Sequence, residues 1–262
     1  MFIQVETRIL LYICSGIYSI QMTETIRNTI NRFSAGFVFT TSDFPIDVSK
    51  QATVNKILNN MVAAGQINRL SKGRFYKPQK SEYGEFKPDS FQMVKDLIEK
   101  NGKPIGYITG YTIFNKHNLT TQVPLVLQIG VRKEKKSIVR GGYRIYFVNQ
   151  SNTITKGNIP TLQLLDCLRF FKSIPDSTPD QACSRLINMF KDLDKKQLLV
   201  AKRLVLKYNP ASIALLGAIL ENAYPDEDTS LLFKALNHQS IYKLGISEVV
   251  LPNSKKWHII NY

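Results

Sequence analysis

A chain of 262 residues, 44% hydrophobic and 10% aromatic, is long enough for two domains with a sizeable core and has the composition of a globular protein. Its formal net charge of +15, with a pI near 9.7, favours polyanionic partners, and no apolar run reaches the length of a membrane span, so no membrane partner is expected. Three cysteines (Cys14, Cys167, Cys183) form no CxxC pair and three histidines (His117, His238, His258) show no ligand spacing, which points to a reducing, cytoplasmic setting with no metal and no cofactor.

In chain order, residues 1–21 open with an apolar run at Ile9 to Cys14 that is broken by Ser15 and Gly16 and lacks a small-x-small cleavage site. Met22 stands directly before a helix start, so 1–21 read as an upstream extension or a poorly ordered segment. A helix is expected over Thr23 to Phe33, with Ile26, Ile30 and Phe33 on one side, followed by a short strand over Phe37 to Thr40. The turn-rich stretch from Thr41 to Val48 places Phe44 and Val48 to pack a short second helix against a third. That third helix, Ser49 to Ala64, carries Val54, Leu58, Met61 and Val62 on one stripe with Ile57 at its edge; Ser49 is the expected N-cap and Gly65 the C′ residue. A hairpin from Ile67 to Lys77, alternating apolar and polar about Lys72-Gly73, completes the order of a winged helix-turn-helix.

The polar face of the third helix shows Lys50, Gln51, Asn55, Lys56 and Asn59, residue types that reach phosphates and base edges in a major groove. The hairpin adds Arg69, Lys72, Arg74 and Lys77, which suit the sugar-phosphate backbone. Each feature alone is ordinary: most polar helix faces and basic hairpins are merely solvated. Their order within about forty residues is what points to DNA. The charge agrees, with 9 basic against 3 acidic residues from Met22 to Lys80 and 25 against 16 over the much longer stretch from Ser81 to Tyr262.

The polar stretch from Gln79 to Pro88 suggests a linker at 81–88, which divides the chain into a DNA-binding domain at 22–80 and a larger domain at 89–262. The larger domain opens with an expected helix over Asp89 to Lys100, with Phe91, Val94, Leu97 and Ile98 apolar and Asp89 or Ser90 capping. A second helix is expected over Gly106 to Asn118. Val123 to Val131 and Arg144 to Asn149 are β-rich, with a basic run between and beside them: Arg132, Lys133, Lys135, Lys136, Arg140 and Arg144 against Glu134 alone. That run either keeps a connection solvated or meets a partner or a second nucleic-acid surface. Gly141-Gly142 suits a hairpin turn better than a phosphate cradle. From Thr161 the pattern is helical through Asn222, punctuated by Pro175, Pro179 and Pro210. The fold class is therefore α+β: a winged helix-turn-helix followed by a larger mixed α/β domain with a small sheet and several helices.

The string Gly36-Phe37-Val38-Phe39-Thr40, then Asp43-Phe44, Val54, Leu58, Gly65-Gln66-Ile67, Arg69-Leu70 and Gly73-Arg74-Phe75-Tyr76, resembles the N-terminal domain of AbiEi-type antitoxins of bacterial abortive-infection toxin–antitoxin systems. Leu119-Thr120-Thr121-Gln122-Val123-Pro124 is similar to a segment in the second domain of one branch of that family, and together the matches cover most of 23–220. The resemblance implies a transcriptional repressor that binds its own operator as double-stranded DNA, and a C-terminal domain that counteracts a nucleotidyltransferase-like toxin in phage defence. It implies that the antitoxin is not an enzyme. The alternative is a free-standing winged-helix regulator whose second domain senses a ligand or dimerises.

Catalytic signatures are thin. No Walker loop, GxSxG or GxGxxG occurs, and Asp192 and Asp194 before Lys195-Lys196 fit a helix end better than a nuclease site. Cys167 and Cys183 read as buried thiols.

Overall fold

The computed structural model describes residues 20–82, 84–100 and 102–261; apart from residues 20 and 21, the expected upstream extension lies outside them. The fold is mixed α+β, and the chain divides into two compact units, one up to Lys95 and one from Asp96.

In the first unit, α1 (20–32) buries Met22, Ile26 and Ile30 at i, i+4, i+8 spacing, so one stripe of the helix faces inward. Then come β1 (Val38–Phe39), two 3-10 turns (Thr41–Asp43 and Val48–Lys50) and α2 (Gln51–Ala63). Thr40 caps the first turn in a reciprocal capping box with Asp43. Asp47, and not Ser49, caps the second: its Oδ1 accepts from the Ser49 backbone N–H at 2.8 Å and the Ser49 hydroxyl at 2.6 Å. Val48, expected to pack here, is 77% exposed, and the stretch is anchored in the core by the buried Phe44 with the half-buried Ile46 beside it. Ile57, expected at the edge of the stripe, is buried with Val54, Leu58 and Met61.

Gly65 ends α2. Its φ of +66° is cheap only for glycine, and it lets Gln66 N–H reach the Met61 carbonyl (3.0 Å) and Gly65 N–H the Val62 carbonyl (3.0 Å). The chain then forms β2 (Asn68–Ser71) and β3 (Arg74–Tyr76), and an antiparallel sheet of order β1-β3-β2. Phe39 and Phe75 face each other across this sheet, and both are buried with Ile67, Phe44 and the half-buried Phe33 over the stripes of α1 and α2. Each such ring stabilises the unit by about 2–3 kcal/mol relative to exposure.

The stretch expected to be a linker instead folds back on itself as β4 (Gln79–Ser81) and β5 (Gly84–Phe86). It leads into α3 (Ser90–Ile98), whose N-terminus is satisfied by Asp89 accepting from Gln92 N–H at 2.8 Å. Met93, Val94 and Ile98 are its buried residues, while Phe91, expected on the apolar face, is 47% exposed.

The second unit takes in the end of α3 and continues with the hairpin β6 (Glu99–Lys100) and β7 (Lys103–Pro104). Gly106–Thr109, expected as helix, is β8, because all four of its residues are buried in a sheet, and only Tyr111–Lys116 is helical, as α4. After β9 (Val126–Val131), β10 (Ile138–Arg140) and β11 (Tyr143–Asn149) the sheet has the order β10-β11-β9-β8. β9 and β11 run parallel, so their carboxyl ends, Val131 and Asn149, lie side by side. Gly141-Gly142 makes the β10–β11 hairpin turn.

Helices α5 (Ile159–Arg169), α6 (Pro179–Lys191), α7 (Lys195–Val205), α8 (Pro210–Ala223) and α9 (Ser230–Lys234) follow, then a small parallel pair, β12 (Tyr242–Lys243) with β13 (Ile259–Ile260). Thr178, Asp194 and Asn209 cap α6, α7 and α8, and Pro179 and Pro210 take the first helical turns. α8 is the centre of the core: every residue from Ser212 to Leu220 is buried. A Cβ at Gly217 would stand 2.1 Å from the Trp257 ring, so glycine is what lets the indole lie on the helix.

Candidate nucleic-acid interface

The stripe that α2 buries determines what it shows. Burial of positions 54, 57, 58 and 61 leaves Ala52, Thr53, Lys56, Asn59, Asn60 and Ala63 exposed. Lys56 and Asn59, picked from sequence, therefore sit at the middle of the open face. Lys50, Gln51 and Asn55 are half-buried on its flank. Thr53 and Asn60 are exposed beside them, and helical phase alone could have found them.

Arg69 and Lys72 on the hairpin are exposed; Arg74 is half-buried. Arg69 is the joint between the two elements. Its guanidinium donates to Asn59 Oδ1 and lies 5.6 Å from the centre of the Phe75 ring, with Phe75 paired opposite it in the sheet. One hydrogen bond and one ring contact thus hold an arginine between the exposed face of α2 and the strand, and leave the Asn59 amide N–H groups available. Lys72 is carried outward by the turn.

Lys77 behaves differently from the other three. Its Nζ donates to the carbonyls of Asn31 and Phe33, both at 3.0 Å, and so satisfies the C-terminal end of α1. Its charge is already engaged within the unit. Upstream, the two bonds from Ser49 hold the Asp47 carboxyl below the usual carboxylate range, so the turn entering α2 carries a fixed negative charge beside Lys50.

In the second unit, Arg132, Lys133, Lys135 and Lys136 are exposed on the connection from β9 to β10, and Arg144 is exposed on β11, its guanidinium donating to the Tyr146 hydroxyl at 3.3 Å. Arg140 does not join them. It is 7% exposed and pairs with Asp96 through two bonds of 2.5 and 3.3 Å, so a structural ion pair, and not a partner, accounts for its charge.

Sequence reasoning passed over a buried polar network under this sheet. Asp166, 1% exposed, accepts from the hydroxyls of Tyr107 (2.7 Å), Thr109 (2.7 Å) and Tyr208 (3.1 Å), and Gln150 Nε2 donates to both tyrosine oxygens at 2.8 Å. Burial pushes the Asp166 carboxyl and both phenols above their ordinary ranges. Each hydrogen bond of the network joins residues more than forty apart in sequence, so no local pattern marks it. Asp192 and Asp194 end α6 and start α7, as a helix-end reading requires. Burial pushes the Cys183 thiol up to about 12 and raises that of Cys167 further, which keeps both protonated and unreactive. Among the described residues no His, Cys, Asp and Glu cluster could hold a metal, and no helix is long and apolar enough to cross a membrane.

No curated protein matches the chain. The crystal structure of the RV2827C protein from Mycobacterium tuberculosis is similar in fold, with a TM-score of 0.50 at 10% sequence identity over 79% of this chain and 78% of that one. Residues 25–203 match a family of unknown function, DUF6088, and the chain belongs to that family.

Proposed function

We propose that the first unit is a winged helix-turn-helix in which α2 reads the major groove and the β2–β3 hairpin is the wing on the flanking phosphates. The observation that carries this reading is the bond from Arg69 to Asn59: it ties the exposed face of α2 to the basic hairpin, so that Lys56, Asn59, Arg69 and Lys72 meet one polyanionic partner together. Lys56 and Asn59 suit base edges and phosphates at the centre; Arg69 and Lys72 suit the backbone. The net positive charge of the unit supplies the sequence-independent attraction.

By the resemblance to AbiEi-type antitoxins, the DNA is the protein's own operator and the second unit counteracts a nucleotidyltransferase-like toxin. Lys133, Lys135 and Lys136 form the surface this role would use, and the protein acts by binding and not by catalysis. Co-expression with the product of the adjacent gene tests the antitoxin part: growth arrest by that product alone and recovery with this chain are expected. Arrest unrelieved by this chain would remove the toxin from the account and leave a repressor.

A further inference from the structure

The carboxyl end of the β9–β11 pair holds a cavity outside the surfaces discussed so far. Parallel strands commonly present ligand sites there, where the connections leave the sheet. Here the chain leaves β11 as Asn149-Gln150-Ser151, the end of α5 brings Arg169, and the junction of α7 and α8 brings Lys207-Tyr208-Asn209. These residues line a cavity of 120 Å³. Whole small molecules occupy roughly 300–1,000 Å³, so the space suits a single tetrahedral group.

The lining is chemically one-sided. Two cations, three carboxamides, a serine and a tyrosine line it, and no carboxylate does. Arg169 is pre-positioned: its Nη1 donates to the Asn149 carbonyl at 2.8 Å and its guanidinium lies 5.4 Å from the Phe170 ring centre. Among the described residues no carboxylate forms an ion pair with Arg169 or Lys207. The floor is fixed, because Gln150 and Tyr208 belong to the buried Asp166 network. α8, a helix of 14 residues, starts at the rim and adds its positive end. Outside, Arg132 donates to Thr153 at 3.5 Å, which brings the exposed Lys133, Lys135 and Lys136 connection to the same end of the sheet. An anion approaching this end meets a cationic approach and then a rigid, two-cation seat.

We propose that this cavity binds a phosphate group, either inorganic phosphate or the terminal phosphate of a nucleotide, seated between Arg169 and Lys207. Arg169 supplies a planar pair of N–H donors, Lys207 a mobile ammonium and Ser151 a neutral hydroxyl donor, while the Tyr208 hydroxyl stays bonded to Asp166 and only fixes the floor. The reading does not depend on DNA binding by the first unit, and none of its residues lies there.

Isothermal titration of the full-length chain with inorganic phosphate, and separately with adenosine 5′-monophosphate, at fixed ionic strength tests it. Saturable one-to-one binding is expected, weakened about tenfold or more by Lys207→Gln and by Ser151→Asp, and unchanged by Lys116→Gln, an exposed lysine outside the cavity lining. Tighter binding of the nucleotide would identify a nucleotide end as the ligand; equal binding would identify phosphate itself. Lys207 and Ser151 are exposed, so both variants are expected to keep the wild-type melting curve, and Arg169→Gln is interpreted only alongside them. Absence of saturable binding by either probe, or binding that survives Lys207→Gln and Ser151→Asp intact, overturns the proposal.

Discussion

Lys72→Ala and Lys77→Ala each remove one positive charge from the same hairpin, yet they should act on different quantities. Lys72 is exposed on the turn, whereas Lys77 is half-buried and donates to the Asn31 and Phe33 carbonyls. If Lys56, Arg69 and Lys72 each neutralise one phosphate, log K should fall against log salt with a slope of about 2.7, so that a fourfold rise in salt weakens binding about forty-fold. Without Lys72 the slope drops to about 1.8 and the same rise costs about twelve-fold. Lys77→Ala should leave the slope at its wild-type value. Two charge-assisted bonds at the end of α1 are lost instead, which lowers stability by about 1–2 kcal/mol after discounting for partial exposure, and the melting temperature by several degrees. Fluorescence anisotropy over a salt series, with thermal melts of the same samples, reads both. Equal flattening by the two variants, or none by Lys72→Ala, would refute the assignment of the hairpin to the phosphate backbone.

Three further outcomes follow from the geometry. Asp166→Ala should destabilise the second unit by about 2–4 kcal/mol in urea unfolding, because the hydroxyls of Tyr107, Thr109 and Tyr208 lose a shared buried acceptor; an unchanged midpoint would mean the network is not formed. Burial works against the charged form of Glu221, but bonds from Lys256, Trp257, Thr229 and Asn253 outweigh it and hold its carboxyl below 4.5. A depressed carboxylate stabilises the fold above its unfolded value and loses that contribution as pH falls through the folded one, so stability should decline below about pH 4.5 and Glu221→Gln should flatten the decline. Charge reversal at Lys133, Lys135 and Lys136 should weaken rescue from the toxin more than Lys56→Ala with Asn59→Ala; the opposite ranking would move toxin neutralisation to the first unit.

The first unit was largely legible because its signals are local. A 3.6-residue stripe defines α2, Gly65 ends it, and Lys72-Gly73 turns the hairpin. What escaped was decided by partners far away in sequence. Arg140 reads as one more member of a basic run until Asp96, 44 residues upstream, is seen to pair with it. Lys77 reads as a hairpin cation until the end of α1 is seen to use it. Gly106–Thr109 is buried on both faces, so it shows no alternation, and its glycine and threonine resemble a poor helix as much as a strand. Ser49 lost the capping role to Asp47 because a 3-10 turn precedes α2 and moves the cap two residues upstream. Cations on the exposed face of α2 and on the turn could be read because helical phase and a Lys-Gly turn mark them as exposed; the cavity at Arg169 and Lys207 could not, because three separate elements assemble it.

The central claim is that α2 and the hairpin together recognise a DNA sequence. Its most direct test compares the affinity of the full-length chain for a duplex taken from immediately upstream of its own gene with that for a scrambled duplex of equal length and composition, both at 150 mM salt. The account predicts a preference of about a thousandfold or more, reduced by at least tenfold in the Lys56→Ala, Asn59→Ala double variant while that variant's affinity for the scrambled duplex changes far less. Equal affinity of the wild-type protein for the two duplexes would contradict it.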